Sequence, residues 1–346
     1  MTDAVSNDSL TTTAGSVRVD AEGTAHIPPF AVPLSRYMSD AAKRCLIEQI
    51  YNPPLWALEP DIAKNRAAWD THFYTPRLRQ AQALYPVTIE ETRIAGVRVD
   101  IVTPLAGIAP GNERRLLLNL HGGAFAIGAG MGGLIESIPV AALAGMRVLS
   151  VHYRQGPEHC FPAASEDVAA VYAELLEEHL PREIGIYGCS AGGLLTAMAA
   201  AWFEQHGLPQ PAALGILCSS ADNRFDGDSR YVTPPLTGQP APQPHQLDLG
   251  MMAAYLRGTE SHDPLVSPLA APALVAKFPP TLFITGTRSG ELSATVHSHA
   301  EFVRAGVDAR LHIWEGMWHG FFYDAALPEA KDAHAVIARF FQRMLK

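Results

Sequence analysis

The 346-residue sequence predicts an α/β protein with a mostly parallel central sheet, flanking helices and a helical cap. Three observations predict it. Short apolar strands alternate with amphipathic helices over most of the chain. A helical stretch precedes every strand. A Pro- and Gln-rich stretch then interrupts the alternation once and hands it back.

Taken in order, residues 1–25 are rich in Ser, Thr, Ala and Gly and read as loosely held. From about Ser39 to Gln82 the spacing is helical: DAAKRCLIEQI, IAKNRAAWDTHF and PRLRQAQALY, with a break at Asn52-Pro53-Pro54. VTIEETRIAGVRVDIVTP reads as two strands joined at Ala95-Gly96. The alternation follows. RLLLNL, RVLSVHYR, IGIYGCS and AALGILCSS read as strands, and GLIESIPVAALAG, SEDVAAVYAELLEEH and AGGLLTAMAAAWFEQHG as helices between them. Residues 222–262 break the rhythm with YVTPPLTGQPAPQPHQLDLG; a long irregular stretch in a compact domain is usually functional. The strands PTLFITG and ARLHIWEG then alternate with the helices SATVHSHAEFVRAG and KDAHAVIARFFQRML. The expected organisation is N-terminal cap helices over 1–82, a catalytic body over 83–221 and 263–346, and a cap insertion over 222–262.

Composition narrows the function. With 48% hydrophobic and 18% charged residues the chain can bury a large core. The net charge of −9 and the lack of a dense Lys/Arg run argue against nucleic acid and against an anionic membrane surface. The four cysteines show no CxxC pair and no zinc-type Cys/His spacing, so no metal site is expected. No leader or membrane-spanning stretch is read, and the cytoplasm is the default compartment.

Gly188-Cys189-Ser190-Ala191-Gly192 places a serine between a buried strand and a helix, the setting of a nucleophile elbow. The turn is tight and needs glycine where backbones approach, and the helix dipole favours developing negative charge. His121-Gly122-Gly123-Ala124-Phe125 follows the strand RLLLNL; the amides of Gly122, Gly123 and Ala191 are the expected oxyanion donors, and His121 is expected to brace the loop. His319, in a loop just beyond the strand ARLHIW, is the expected base. The acid should follow the strand PTLFITG, yet 285–291 holds no Asp. Glu291 is its only carboxylate, which either serves as the acid or merely opens the next helix, and Asp263 reads as structural.

These motifs, with YRQGPEHCFPAASED at 153–167, DPLVSPL at 263–269 and EGMWHGF at 315–321, resemble the hormone-sensitive-lipase family of bacterial esterases. The resemblance covers roughly residues 85–346. It implies the α/β-hydrolase fold, cofactor-free cleavage of small-molecule carboxylic esters through an acyl-enzyme, a preference for short or medium acyl chains, and homodimers. It implies Ser190 as nucleophile, His319 as base, and Gly122, Gly123 and Ala191 as oxyanion donors. Two positions depart from it. Cys189 stands where many relatives have Asp, and Ser289 aligns with the family's acidic residue. Two further readings stay open, an acyltransferase using the same acyl-enzyme and, because the Asp is missing, a ligand-binding homologue with impaired catalysis. Trp56, Trp69, Phe73 and Tyr74 of the N-terminal helices are expected to help form the substrate site, and Phe125, Trp318 and Phe321 to wall it.

Overall fold

The computed structural model describes residues 17–54, 57, 59–243 and 250–346. The chain divides into two units after Leu34. In the first, strands β1 (Arg18–Val19) and β2 (Ala25–His26) pair antiparallel. Asp20 closes their turn by accepting from the amides of Glu22 and Thr24.

The second unit begins with three helices. Helix α1 (Asp40–Tyr51) is capped by the Ser39 hydroxyl, which accepts from the Ala42 amide at 3.1 Å. Helix α2 (Ile62–Trp69) is capped by Asp61 and runs through a π-helical turn at Asp70–Tyr74 into α3 (Thr75–Leu84). Pro76 does not break this run, because the first turn of a helix tolerates a missing N–H. These helices belong to the same compact unit as the sheet.

Next come β3 (Val87–Ile94), β4 (Val97–Pro104), β5 (Leu116–Leu120), α4 (Met131–Ala144), β6 (Arg147–Val151), α5 (Ala163–Leu175), β7 (Ile184–Cys189), α6 (Ala191–His206) and β8 (Ala213–Leu217). They are followed by α7 (Ser229–Leu236), α8 (Met252–Tyr255), α9 (Pro272–Val275), β9 (Thr281–Gly286), α10 (Leu292–Arg304), β10 (Ala309–Trp314) and α11 (Pro328–Met344). The eight-stranded sheet has the order β10-β9-β8-β7-β5-β6-β4-β3. Only β4 runs against the others. Its hairpin with β3 turns at Ala95 and Gly96, both at positive φ. Every residue of β5, β7, β8 and β9 is buried, as expected for parallel strands with helices on both faces.

The strand and helix assignments from sequence hold through the sheet. The 222–262 stretch is less irregular than its composition suggests. Pro234 and Pro235 lie in the last turn of α7, a helix stopped just after them. Residues 244–249 and Trp56 lie outside the described residues.

Small residues let the layers close. A Cβ on Gly185 of β7 would lie 2.6 Å from the Phe341 ring of α11 and 2.8 Å from a Leu117 methyl. Gly185→Ala is therefore expected to overpack this layer, at a cost of about 1–3 kcal/mol. Urea denaturation should show a lower midpoint with an unchanged slope; an unchanged midpoint would show that α11 does not press on β7.

Candidate active site

Ser190 sits between the last residue of β7 and the first of α6, at φ 58° and ψ −123°. Non-glycine residues rarely take positive φ, so this conformation needs support. Strand β8 and its exit supply it. The Ser190 amide donates to the Leu217 carbonyl at 2.8 Å, and the Ser219 hydroxyl donates to the Ser190 carbonyl at 2.6 Å. The flanking glycines are sterically required. A Cβ on Gly188 would lie 2.1 Å from the Leu120 carbonyl oxygen, and one on Gly192 only 1.7 Å from it. Cys189 is fully buried, consistent with a small apolar filler.

His319 follows β10, and its Nδ1 donates to Glu291 Oε2 at 3.0 Å. The imidazole is half exposed, whereas the Glu291 carboxylate is only 6% exposed. Glu291 precedes α10, and its other oxygen accepts from the Thr285 hydroxyl at 3.3 Å and from the Ser289 hydroxyl. The carboxylate next to His319 is thus that of Glu291, and Ser289 steadies it. Burial opposes both charges, but the pairing outweighs it. Glu291 is held below the ordinary carboxylate range and His319 is raised above that of free imidazole. Asp263 does not join this pair; it accepts from the Leu265 amide and closes its own turn.

The oxyanion loop requires one correction. The Gly122 amide donates to the buried carboxylate of Glu136 at 2.8 Å, so it is not available to a substrate. Gly122 is required for another reason: a Cβ there would lie 2.6 Å from the Tyr323 hydroxyl. The next residues turn through positive φ, at 116° for Gly123 and 53° for Ala124, and Ala124 lines the same pocket as Ser190 and His319. Among the described residues no hydrogen bond is recorded for the Gly123, Ala124 or Ala191 amides. The HGGA motif by itself does not single out the Ala124 amide. His121 braces the loop as expected. Its ring stacks on Tyr153 at 4.3 Å, its Nδ1 donates to the Gly122 carbonyl, and burial lowers its pKa to about 4.

The pocket has a volume of about 510 Å³. Ser190, His319, Glu291, Ala124 and Gly290 line it; so do the apolar Phe225, Pro234, Met251 and Met252, and Arg224 and Arg230. The walls expected from sequence are elsewhere. Phe125 is fully buried against Tyr255, and Trp318 and Phe321 lie in the core. Trp69, Phe73 and Tyr74 cluster with one another, with Phe73 against Tyr323, and none of the three is among the described lining residues. Aromatic content alone does not distinguish core from cleft.

Cys218, Glu291 and His319 present metal-ligand atoms within 4.8 Å of one another, with two of the three already paired. No helix among the described residues is long and apolar enough to cross a membrane.

Residues 117–323 match the alpha/beta hydrolase fold family. An acetyl-hydrolase of Streptomyces hygroscopicus is 33% identical over 66% of this chain and 75% of its own length. An esterase of Acinetobacter venetianus is 28% identical over 77% and 86%. Among solved structures, esterase E25 superposes with a TM-score of 0.79 at 33% identity, covering 93% of this chain and 99% of its own. An esterase from the bacterial hormone-sensitive lipase family superposes with a TM-score of 0.75 at 28% identity, covering 89% and 99%. With its sheet order, its strained serine turn and these likenesses together, the chain belongs to the alpha/beta hydrolase fold family, within the hormone-sensitive-lipase group of esterases.

Proposed function

We propose that this serine carboxylic-ester hydrolase cleaves short- to medium-chain esters through an acyl-enzyme on Ser190. The observation that carries the reading is the strained Ser190 turn opening into one pocket with the His319–Glu291 pair. In this mechanism the Ser190 hydroxyl attacks the ester carbonyl while His319 takes its proton through Nε2. The Gly123, Ala124 and Ala191 amides receive the oxyanion; one such donor is typically worth about 2.7–4 kcal/mol in the transition state. The tetrahedral adduct collapses, His319 returns the proton to the leaving alcohol, and the acyl group stays on Ser190. Water, deprotonated by His319, then releases the acid. Glu291 holds the imidazole tautomer and balances the imidazolium. A working acid also speaks against a homologue that only binds ligands.

The 222–262 stretch is the cap in this reading, since Phe225, Pro234, Met251 and Met252 supply the apolar wall. Such a wall rewards each buried methylene by about 0.8 kcal/mol until the pocket is full. The volume of about 510 Å³ must hold acyl and alcohol parts together, which supports an optimum between acetyl and hexanoyl esters.

Four outcomes test the reading. Ser190→Ala should abolish the burst of nitrophenol from p-nitrophenyl esters with the circular dichroism unchanged, and a surviving burst would remove Ser190 from the mechanism. Across the acyl series, kcat/KM should peak at or below hexanoyl; a rise continuing to palmitoyl would contradict the pocket argument. His319 must be neutral to accept the serine proton, so activity is present above its pKa and lost below it. Removing the Glu291 charge lowers that pKa. Glu291→Gln should therefore shift the acid limb of kcat/KM to lower pH while cutting kcat by roughly 10²–10⁴. Ser289→Asp should bring no gain, because a second carboxylate would face Glu291. A silent Glu291→Gln would show that Glu291 is not the working acid, and a tenfold gain in Ser289→Asp that the site lacks an acid which position 289 could supply.

A further inference from the structure

A second buried carboxylate lies behind the site. Glu136, on the inward face of α4, is 2% exposed and takes no part in the chemistry above. It makes four hydrogen bonds, and all four partners are donors. Oε1 accepts from the Gly122 amide at 2.8 Å and from the Tyr323 hydroxyl at 2.7 Å. Oε2 accepts from the Asn119 side-chain amide at 2.8 Å and from the Cys189 backbone amide at 3.2 Å.

The partners belong to different elements. Asn119 is in β5 and Gly122 begins the oxyanion loop, just before the Gly123 and Ala124 amides. Cys189 directly precedes Ser190. Tyr323 lies four residues beyond His319. We propose that Glu136 is a positioning residue that fixes the oxyanion loop, the Ser190 turn and the His319 loop relative to one another. This rests on the ester-hydrolase reading and adds a residue to it.

The sequence shows how the carboxylate gets there. Gly132 and Gly133 stand one turn before Glu136 on the same helix face. A Cβ on Gly133 would lie 2.0 Å from the Ser150 hydroxyl, so α4 lies unusually close to the sheet at this point. That approach lets a Glu side chain reach the strand ends. An ionised carboxylate only accepts, which matches four donors; a neutral acid or an amide would have to donate to one of them. Burial raises the Glu136 pKa to about 7, even against the pull of its four donors. Breaking this acceptor leaves donors buried and unpaired around the reacting groups.

The loops it joins carry every group proposed to touch the transition state. A shift of about 1 Å in such groups can cost on the order of 10² in rate without changing ground-state binding. Glu136→Gln should thus lower kcat for p-nitrophenyl butyrate by roughly 10–100-fold with KM within about threefold. The affinity for butylboronic acid, which adds to the serine as a tetrahedral anion, should fall in parallel with kcat. Butyrate, a trigonal product, should bind as before. Asp100→Asn is the control. It disrupts another buried carboxylate, paired with His152 at 2.7 Å and with no hydrogen bond to the three loops among the described residues. It should lower the thermal midpoint and leave kcat unchanged.

The inference fails if folded Glu136→Gln keeps its kcat and boronate affinity, or loses no more of either than Asp100→Asn. Should Glu136→Gln not fold, Tyr323→Phe removes one donor and keeps the carboxylate; a kcat loss of roughly threefold or more at constant KM supports the proposal, and an unchanged kcat overturns it. Wild-type turnover is read in the same assay. Absent ester turnover there overturns the ester-hydrolase reading, whereas normal turnover in wild type and variants alike overturns the Glu136 inference alone.

Discussion

The site depends on one strained residue. Ser190 holds a positive φ that a side chain resists, and the surrounding sheet forces it to stay there. Its amide and carbonyl are both fixed from the β8 side, and Gly188 and Gly192 let the Leu120 carbonyl come within a distance that no Cβ would allow. Strands β5, β7 and β8 must therefore be in register before the serine can occupy this turn. Their register pairs Leu120 with Gly188 and Cys189 with Leu217.

The same crowding fixes the other parts of the site. The loop after β5 can pass Tyr323 only as glycine, and it returns to the pocket at Ala124. The loop after β10 brings His319 to a carboxylate that starts from the end of β9. Glu291 stands two residues after the position where a shorter acid would be expected, and its extra methylene and the Ser289 hydroxyl make up the difference. The gap at position 289 is thus met in space by a carboxylate two positions on, to which the Ser289 hydroxyl donates.

The sheet was legible because strand burial and helix periodicity are local properties of the chain. So was Ser190, because GCSAG lies between a buried strand and a helix, and so was His319, because its loop follows a strand end. What escaped was set by partners far apart in sequence. Nothing in HGGA tells that the Gly122 amide is spent on Glu136, since that carboxylate reads as one polar position of an amphipathic helix. Helix α7 was hidden by prolines that stop it rather than prevent it. The aromatics Trp69, Phe73 and Phe125 could not be divided between core and cleft by composition, and the cleft is walled instead by Phe225, Pro234, Met251 and Met252. Glu291 could only be kept open as a candidate, because its reach to His319 is a tertiary fact.

The central claim is covalent and can be tested as such. The enzyme would be mixed rapidly with p-nitrophenyl acetate, quenched in acid, digested and analysed by mass spectrometry. The account predicts one acetyl group on the peptide that contains Ser190, with fragmentation assigning it to that residue. Acetylation at another residue, or efficient turnover with no trapped acyl group under conditions where nitrophenol appears in a burst, would contradict it.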